Sequence, residues 1–292
     1  MGTWNVGPLD DDTAADCRDA PIRVLDVADG LDTPLPAGRM ITSDEGHGDV
    51  QPLWCSDRPA TAGLWAQVYA EHSRSGLWPL LLDALDPEDD EFRPWGSGEL
   101  MPEEMSSPAS HSPAGLLEQW WTTYTAVDGD DDMLSAKRRQ AVTAPFGRHW
   151  PGTAPARSAT TDPDELAAEY AQVFLASRPW SRLGLVAAAS GAEALAVAGW
   201  CGPHNYDNDT AKFSAVIRDW EHRFGARVVA AGFSTVHLSV AAPPMNEEDA
   251  LLVAAEHFAV CPDNVWQGCR PNTLSAYAER IIGARRWDFW WD

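Results

Sequence analysis

The sequence predicts an α+β protein built on a mixed sheet with flanking helices. Three observations carry this. Leu77–Leu82 and Leu183–Ala188 are apolar runs of strand length. Phe213, Val216, Ile217, Trp220 and Phe224 fall at helical spacing on one face. Val228–Ala231 and Val236–Val240 flank Gly232-Phe233-Ser234-Thr235, which predicts a β-hairpin at about 228–240. A hairpin within the sheet is incompatible with a purely parallel fold.

The elements follow in order. Val50–Cys55 reads as a strand, and Leu64, Trp65, Val68 and Tyr69 as a helix that Gly76 stops. With Leu77–Leu82 they predict a βαβ unit at about 50–82, with a right-handed crossover. Residues 83–112 are acidic and rich in Pro, Ser and Gly, the composition of a long loop. Leu116, Leu117, Trp120, Trp121 and Tyr124 then mark a helix. Four prolines within 143–163 predict a boundary, dividing the chain into an N-terminal extension (1–45), an upstream α/β subdomain (46–150) and a C-terminal α+β domain (160–292). Asp162 is placed to cap a helix that begins at Pro163 and buries Leu166, Tyr170, Val173 and Phe174. The most apolar stretch, Leu183–Gly202, is mostly Ala and Gly with Glu193 near its centre, so it reads as core and not as a membrane span. Gly225 ends the helix of Phe213–Phe224, and Pro243-Pro244 ends the hairpin. Asn246 and Asn272 are the caps expected for the last two long helices, and Arg286–Trp291 reads as a closing aromatic strand.

A chain of 292 residues can bury a core without disulfides or metals. Its 44 acidic against 21 basic residues give a net charge of −23. Such a surface repels nucleic acid and anionic membranes and attracts basic proteins. The acid clusters at Asp10-Asp11-Asp12, Glu88-Asp89-Asp90-Glu91 and Asp130-Asp131-Asp132, runs that must be solvated. Where such runs lie close together, protonating them from neutral towards pH 5 should raise stability by relieving repulsion. Five scattered cysteines, an odd number, point to reduced thiols in a cytoplasm, and Met1–Val6 has no signal-peptide character.

The familiar catalytic motifs are missing from the sequence. Both lysines, Lys137 and Lys212, follow Ala, so there is no Walker A loop. Gly46-His47-Gly48 and Gly96-Ser97-Gly98 lack the third glycine of a dinucleotide fingerprint, and there is no G-x-S-x-G or H-E-x-x-H. Asp128–Asp132 resembles the start of an EF-hand loop, but Met133 stands where Gly is required. One metal arrangement is open: Cys201 and His204 form C-x2-H, His257 and Cys261 form H-x3-C, and together they would make the Cys2His2 set of a zinc site. His257 and Asp263 are the candidate general acid–base pair, although each residue is equally readable as structural. Cys261 lies at a helix C-terminus, where the dipole raises a thiol pKa and makes a poor nucleophile. Among the 15 tryptophans, most lie on helix stripes that fill a core, but some fall in loops or at strand ends. The candidate binding residues are Trp200, Asn205, Tyr206, Trp266, Gln267 and Trp290. Two functions stand against each other: a binding module for a basic partner, or an enzyme, such as a metal-assisted hydrolase, whose pocket would join Trp200, Asn205, His257, Asp263 and Gln267.

A resemblance adds to this. Trp220-Glu221, Arg223–Ala226, Leu238-Ser239-Val240, Ala254–Phe258, Cys261–Gly268 and Trp287–Asp292 resemble the bacterial domain-of-unknown-function family 4253, closely over about 180–292. Residues 40–150, with Gly76–Leu82, look like the upstream part of actinobacterial members. Residues 1–17 look like the opening of unknown-function family 4259. Neither resemblance implies an activity. The first supports the fold and a bacterial source and transfers no catalytic residue.

Overall fold

The computed structural model describes Val24 and residues 30–44, 50–126, 135–268 and 270–292. Among these residues seven strands form one sheet: β1 (Gly38–Ile41), β2 (Leu53–Pro59), β3 (Leu77–Leu82), β4 (Arg182–Ala187), β5 (Ala226–Ala231), β6 (Thr235–Val240) and β7 (Arg286–Trp290). The helices are α1 (Leu64–Ala70), α2 (His72–Ser75), α3 (Pro113–Thr125), α4 (Ala136–Val142), α5 (Pro163–Ser177), α6 (Gly191–Val197), α7 (Thr210–Phe224), α8 (Glu247–Val260), α9 (Asp263–Trp266) and α10 (Leu274–Ile281). Asp10–Asp12, Gly46-His47-Gly48, the EF-hand-like Asp128–Asp132, Cys17, Cys269 and the stretch 1–17 lie outside the described residues.

The strand order is β1-β2-β4-β3-β5-β6-β7. Only β3 and β5 pair in parallel; every other neighbour is antiparallel. The expected hairpin is β5–β6, with Val228 opposite Leu238. The expected βαβ unit is modified. β2 and β3 do run in the same direction, but β4 lies between them and is antiparallel to both. The proline-rich stretch 143–163 therefore does not divide the strands into separate sheets, since β4 arrives from beyond it to sit inside the upstream strands.

β3 is buried along its whole length because both faces are covered. Leu77 and Leu81 point to the layer of α1 and α5, with Leu183, Leu185, Tyr170 and Phe174. Trp78, Leu80 and Leu82 point to the larger layer of α3, α6, α7, α8 and α10, with Trp121, Phe213, Trp220, Phe258 and Trp287. The alternation is the period of two that a pleated strand imposes. Pro79 is tolerated in this central strand although it has no amide hydrogen. The β3–β5 ladder is confined to Leu81–Ala230 and Leu82–Ala231, and the Pro79 carbonyl accepts from Trp65 Nε1 at 2.9 Å. Where the two strands separate, Trp78 Nε1 reaches Val228 O at 3.2 Å, and Gly191 packs so closely that an added Cβ would meet the Trp78 ring and Val228 at 2.8 Å.

The caps explain the helix starts. Asp162 accepts from the amides of Asp164 and Glu165, and Asn246 from Asp249, as the sequence predicts. At α10 the cap is Thr273, not Asn272. The Asn272 side chain instead donates to Val265 O and Gly268 O, which removes it from the helix end. Among the described residues no helix is long and apolar enough to cross a membrane.

Candidate functional site

The polar residues singled out in the sequence gather around α9, where the chain leaves α8. Asp263 is 2% exposed and accepts three hydrogen bonds. Its Oδ2 takes Tyr206 Oη at 2.7 Å and the Asp292 amide at 3.0 Å; its Oδ1 takes Gln267 Nε2 at 2.9 Å. Gln267 also donates to Asp292 Oδ2 at 3.1 Å. Burial and the adjacent Asp263 carboxylate push the Tyr206 hydroxyl far above its ordinary pKa, so it stays a donor.

The neighbours of Asp263 hold the same stretch of chain. Cys261 Sγ donates to Trp290 O at 3.0 Å. The Asn264 carboxamide donates to Asp288 O at 2.8 Å and accepts from the Trp290 amide at 3.2 Å. One carbonyl and the amide two residues on are the groups a neighbouring strand would bond, so Asn264 stands in for a strand on the open side of β7. Cys261-Pro262-Asp263-Asn264 is thus a clasp on residues 288–292, three of its four side chains each bonding that segment. Burial raises the Cys261 thiol well beyond the ordinary range, which leaves it protonated and unreactive.

His257 lies behind this clasp in the core. It is fully buried, edge-on to Trp220, Trp287 and Phe289. Asn264 Nδ2 donates to Tyr277 Oη at 3.3 Å, and that hydroxyl lies 2.9 Å from His257 Nδ1. Burial, helped by the Arg223 charge, lowers the His257 pKa to about 3. The ring is neutral at pH 7 and sealed from any substrate. Beside it Glu256, wholly buried, accepts from Arg223, Trp220 Nε1 at 2.7 Å and the Ala154 amide at 2.7 Å. Burial pushes this carboxyl upwards against the pull of Arg223.

The structure unites some predicted site residues and separates others. Tyr206, Asp263 and Gln267 meet directly. Trp266 is half-buried against Phe258 and Tyr124, with Arg139 over its ring, and Trp290 is 41% exposed beside the clasp. Trp200 is buried, bonded to Gly232 O at 2.7 Å and packed on Trp291. Asn205 is exposed. The pocket expected from Trp200, Asn205, His257, Asp263 and Gln267 is therefore not formed, because two of its five walls are core. The zinc pairing is not formed either. Cys201 Sγ turns to Gly199 O, half-buried His204 carries a pKa lowered by burial, and His257 and Cys261 bond Tyr277 and Trp290. Among the described residues no three His, Cys, Asp or Glu side chains come together as a metal site. Sequence reasoning misses Asn264 and Tyr124 as site residues. Asn264 stands inside the Cys261–Gly268 motif, and Tyr124 gives only a helix-stripe signal.

Residues 182–292 match the model of the domain of unknown function DUF4253. The matched stretch begins at the first residue of β4 and contains both halves of the clasp. No curated protein and no solved structure matches the chain.

Proposed function

We propose that the protein is a binding module for a basic protein partner, of the kind by which a bacterial cytoplasm masks a cationic protein such as a toxin. The observation that carries this reading is the net charge of −23. Some of that charge lies on the exposed turn Asp86–Glu91, where Asp86 and Asp89 accept backbone amides while Glu88, Asp90 and Glu91 project outwards. An acidic body steers cationic partners to it and rejects polyanions. Two further features support the reading. The candidate acid–base groups are committed elsewhere: Asp263 to three internal donors and His257 to the core. Neither Cys55 nor Cys261 forms a disulfide, as in a reducing compartment.

The test is purification of tagged protein from a native lysate at low salt. The expected result is a stoichiometric partner rich in Lys and Arg, released at about 1 M salt, where the screening length falls to roughly 3 Å. Recovery of no stoichiometric partner, or of one bound independently of salt, rejects the reading.

A further inference from the structure

The chain between β3 and α3 ends in a strap that crosses the start of α7. Two 3-10 turns, Pro102–Glu104 and Pro108–Ser110, shape the strap, each opened by a proline whose fixed φ suits that position. Leu100 anchors one end by a β-bridge to Trp200, and at the other end Ser112 caps α3 by accepting the Gly115 amide. Between its ends the strap meets α7 at two places. Arg218 donates to Pro108 O at 3.1 Å, and Pro108 itself is buried. About two turns earlier on the helix, the pair Met105-Ser106 meets the pair Asp209-Thr210.

Asp209 is the N-cap of α7, and its Oδ1 accepts the Ala211 amide at 3.1 Å. The same carboxylate accepts the Ser106 amide at 3.2 Å and the Ser106 hydroxyl at 2.6 Å. A carboxylate only accepts, so the hydroxyl proton lies towards Asp209 and the Ser106 oxygen faces His111 Nε2, 2.6 Å away, as the acceptor. The amide of Thr210, the first residue of α7, has a different partner. It donates to Met105 Sδ at 3.2 Å. First-turn amides have no acceptor within their own helix, and here a thioether supplies one. Among the described residues Met105 is the one methionine whose sulfur accepts a hydrogen bond. Its side chain is only half-buried, which leaves it open to a small oxidant.

We propose that Met105 is a redox-sensitive latch that holds the strap on α7 while reduced and loosens it when oxidised by a peroxide. A sulfur lone pair attacks one peroxide oxygen; an S–O bond forms and the O–O bond breaks. With hydrogen peroxide the proton of the attacked oxygen passes to the other, which departs as water. Sulfur is oxidised and the peroxide reduced, giving the polar methionine sulfoxide. The new oxygen stands outside the sulfur. If it takes the Thr210 amide at the usual N–H···O distance of about 2.9 Å, the sulfur must stand farther off than its present 3.2 Å. If it turns to water, the Thr210 amide loses its acceptor. Either change breaks the present fit, and Ser106, next in the chain, is drawn off the carboxylate it bonds at 2.6 Å. Asp209 keeps the Ala211 amide, so the strap loosens while α7 stays capped. Enzymatic reduction of the sulfoxide restores the thioether, which makes the latch reversible.

The experiment treats the full chain with hydrogen peroxide, locates sulfoxides by peptide mass spectrometry, and follows amide hydrogen exchange over 101–112 and the first turn of α7. Met245, 61% exposed, is the internal standard for a freely accessible thioether. The expected result is a sulfoxide at Met105 and exchange roughly five-fold faster across 105–112 and at Thr210. Treatment with methionine sulfoxide reductases should return the starting rates. Met105→Leu keeps the volume without the sulfur, and its exchange should not respond to peroxide. Met245→Leu should respond as the wild type does. Met105 staying reduced while Met245 is fully converted would overturn the latch, as would a Met105 sulfoxide with unchanged exchange. The same peroxide response in Met105→Leu would place the sensitivity at another residue and reject the proposal.

Discussion

The stretch 182–292 and the residues upstream of it divide the molecule unequally. The matched stretch carries its own polar logic: both halves of the clasp, the Glu256–Arg223 pair, and the chain from Asn264 through Tyr277 to His257. It does not carry its own sheet. β4 pairs with β2 and β3, and β5 pairs with β3 and β6, so the one strand joining its first strand to the rest comes from upstream. A family pattern can therefore end at β4 while the structural unit does not. Within the matched stretch the clasp side chains bond one another's segments, whereas β3 contributes apolar side chains to both faces.

The sharpest way to break this comparison is to express 182–292 alone. With β3 gone, β4 loses its link to β5–β7, and Leu183, Leu185 and Val229 lose Leu77 and Leu81. The expected outcome is no cooperative unfolding transition by circular dichroism. A two-state melt would show that β4 closes on another strand and that the upstream residues are dispensable.

Next in size is the buried ion pair. Arg223→Ala leaves Glu256 in the core without its counter-charge and also strips a donor from Ala154 O. Breaking such a pair costs about 3–5 kcal/mol, read as a fall in the urea midpoint. A loss below about 1 kcal/mol would mean that Trp220 Nε1 and the Ala154 amide suffice to hold the carboxylate.

The pH response is third, and in it His257 works against the gain expected from relieving acid repulsion. His257 has a folded pKa of about 3 against an ordinary value of roughly 6.5. Between those values the unfolded chain binds a proton that the folded one refuses, so the contribution of His257 to stability falls as pH drops from 6.5, against the opposite contribution of the upward-shifted Glu256. By pH 4.5 the loss is about 3 kcal/mol. His257→Gln should flatten the melting temperature across pH 6.5–4.5 relative to wild type. An unchanged slope would place the acid sensitivity elsewhere.

Most elements are legible because their signals are local. The β5–β6 hairpin follows from its turn, and α5 from Asp162-Pro163. What escapes the sequence is non-local or locally ambiguous. Nothing near residue 182 says that β4 will insert between β2 and β3, since that choice belongs to pairing partners over 100 residues away. α6 reads only as core because it is buried on nearly every side and so shows no helical period, although Ser190 caps it at Glu193. Asn272 and Thr273 can each cap α10, and carbonyls of another loop break the tie. The clasp residues are visible as a motif, but their partners lie in a segment more than 20 residues on. Such a motif invites a chemical reading of groups whose role is to hold β7.

That role gives the smallest and most specific effect. β7 is an edge strand, and the Asn264 carboxamide occupies its Asp288 carbonyl and Trp290 amide. Asn264→Ala removes these bonds and the donor to Tyr277 Oη, at a cost of about 1–2 kcal/mol once water replaces the exposed partners. The same change uncovers strand groups next to Trp290, which is 41% exposed, and open edges of this kind recruit other strands. The variant should therefore lose little stability yet self-associate with rising concentration in analytical ultracentrifugation. The high net charge opposes that association, so it should strengthen with salt, the opposite of the proposed basic-partner contact. A variant that is destabilised but monomeric at all salt concentrations would make Asn264 a fastener of β7 without a guarding role.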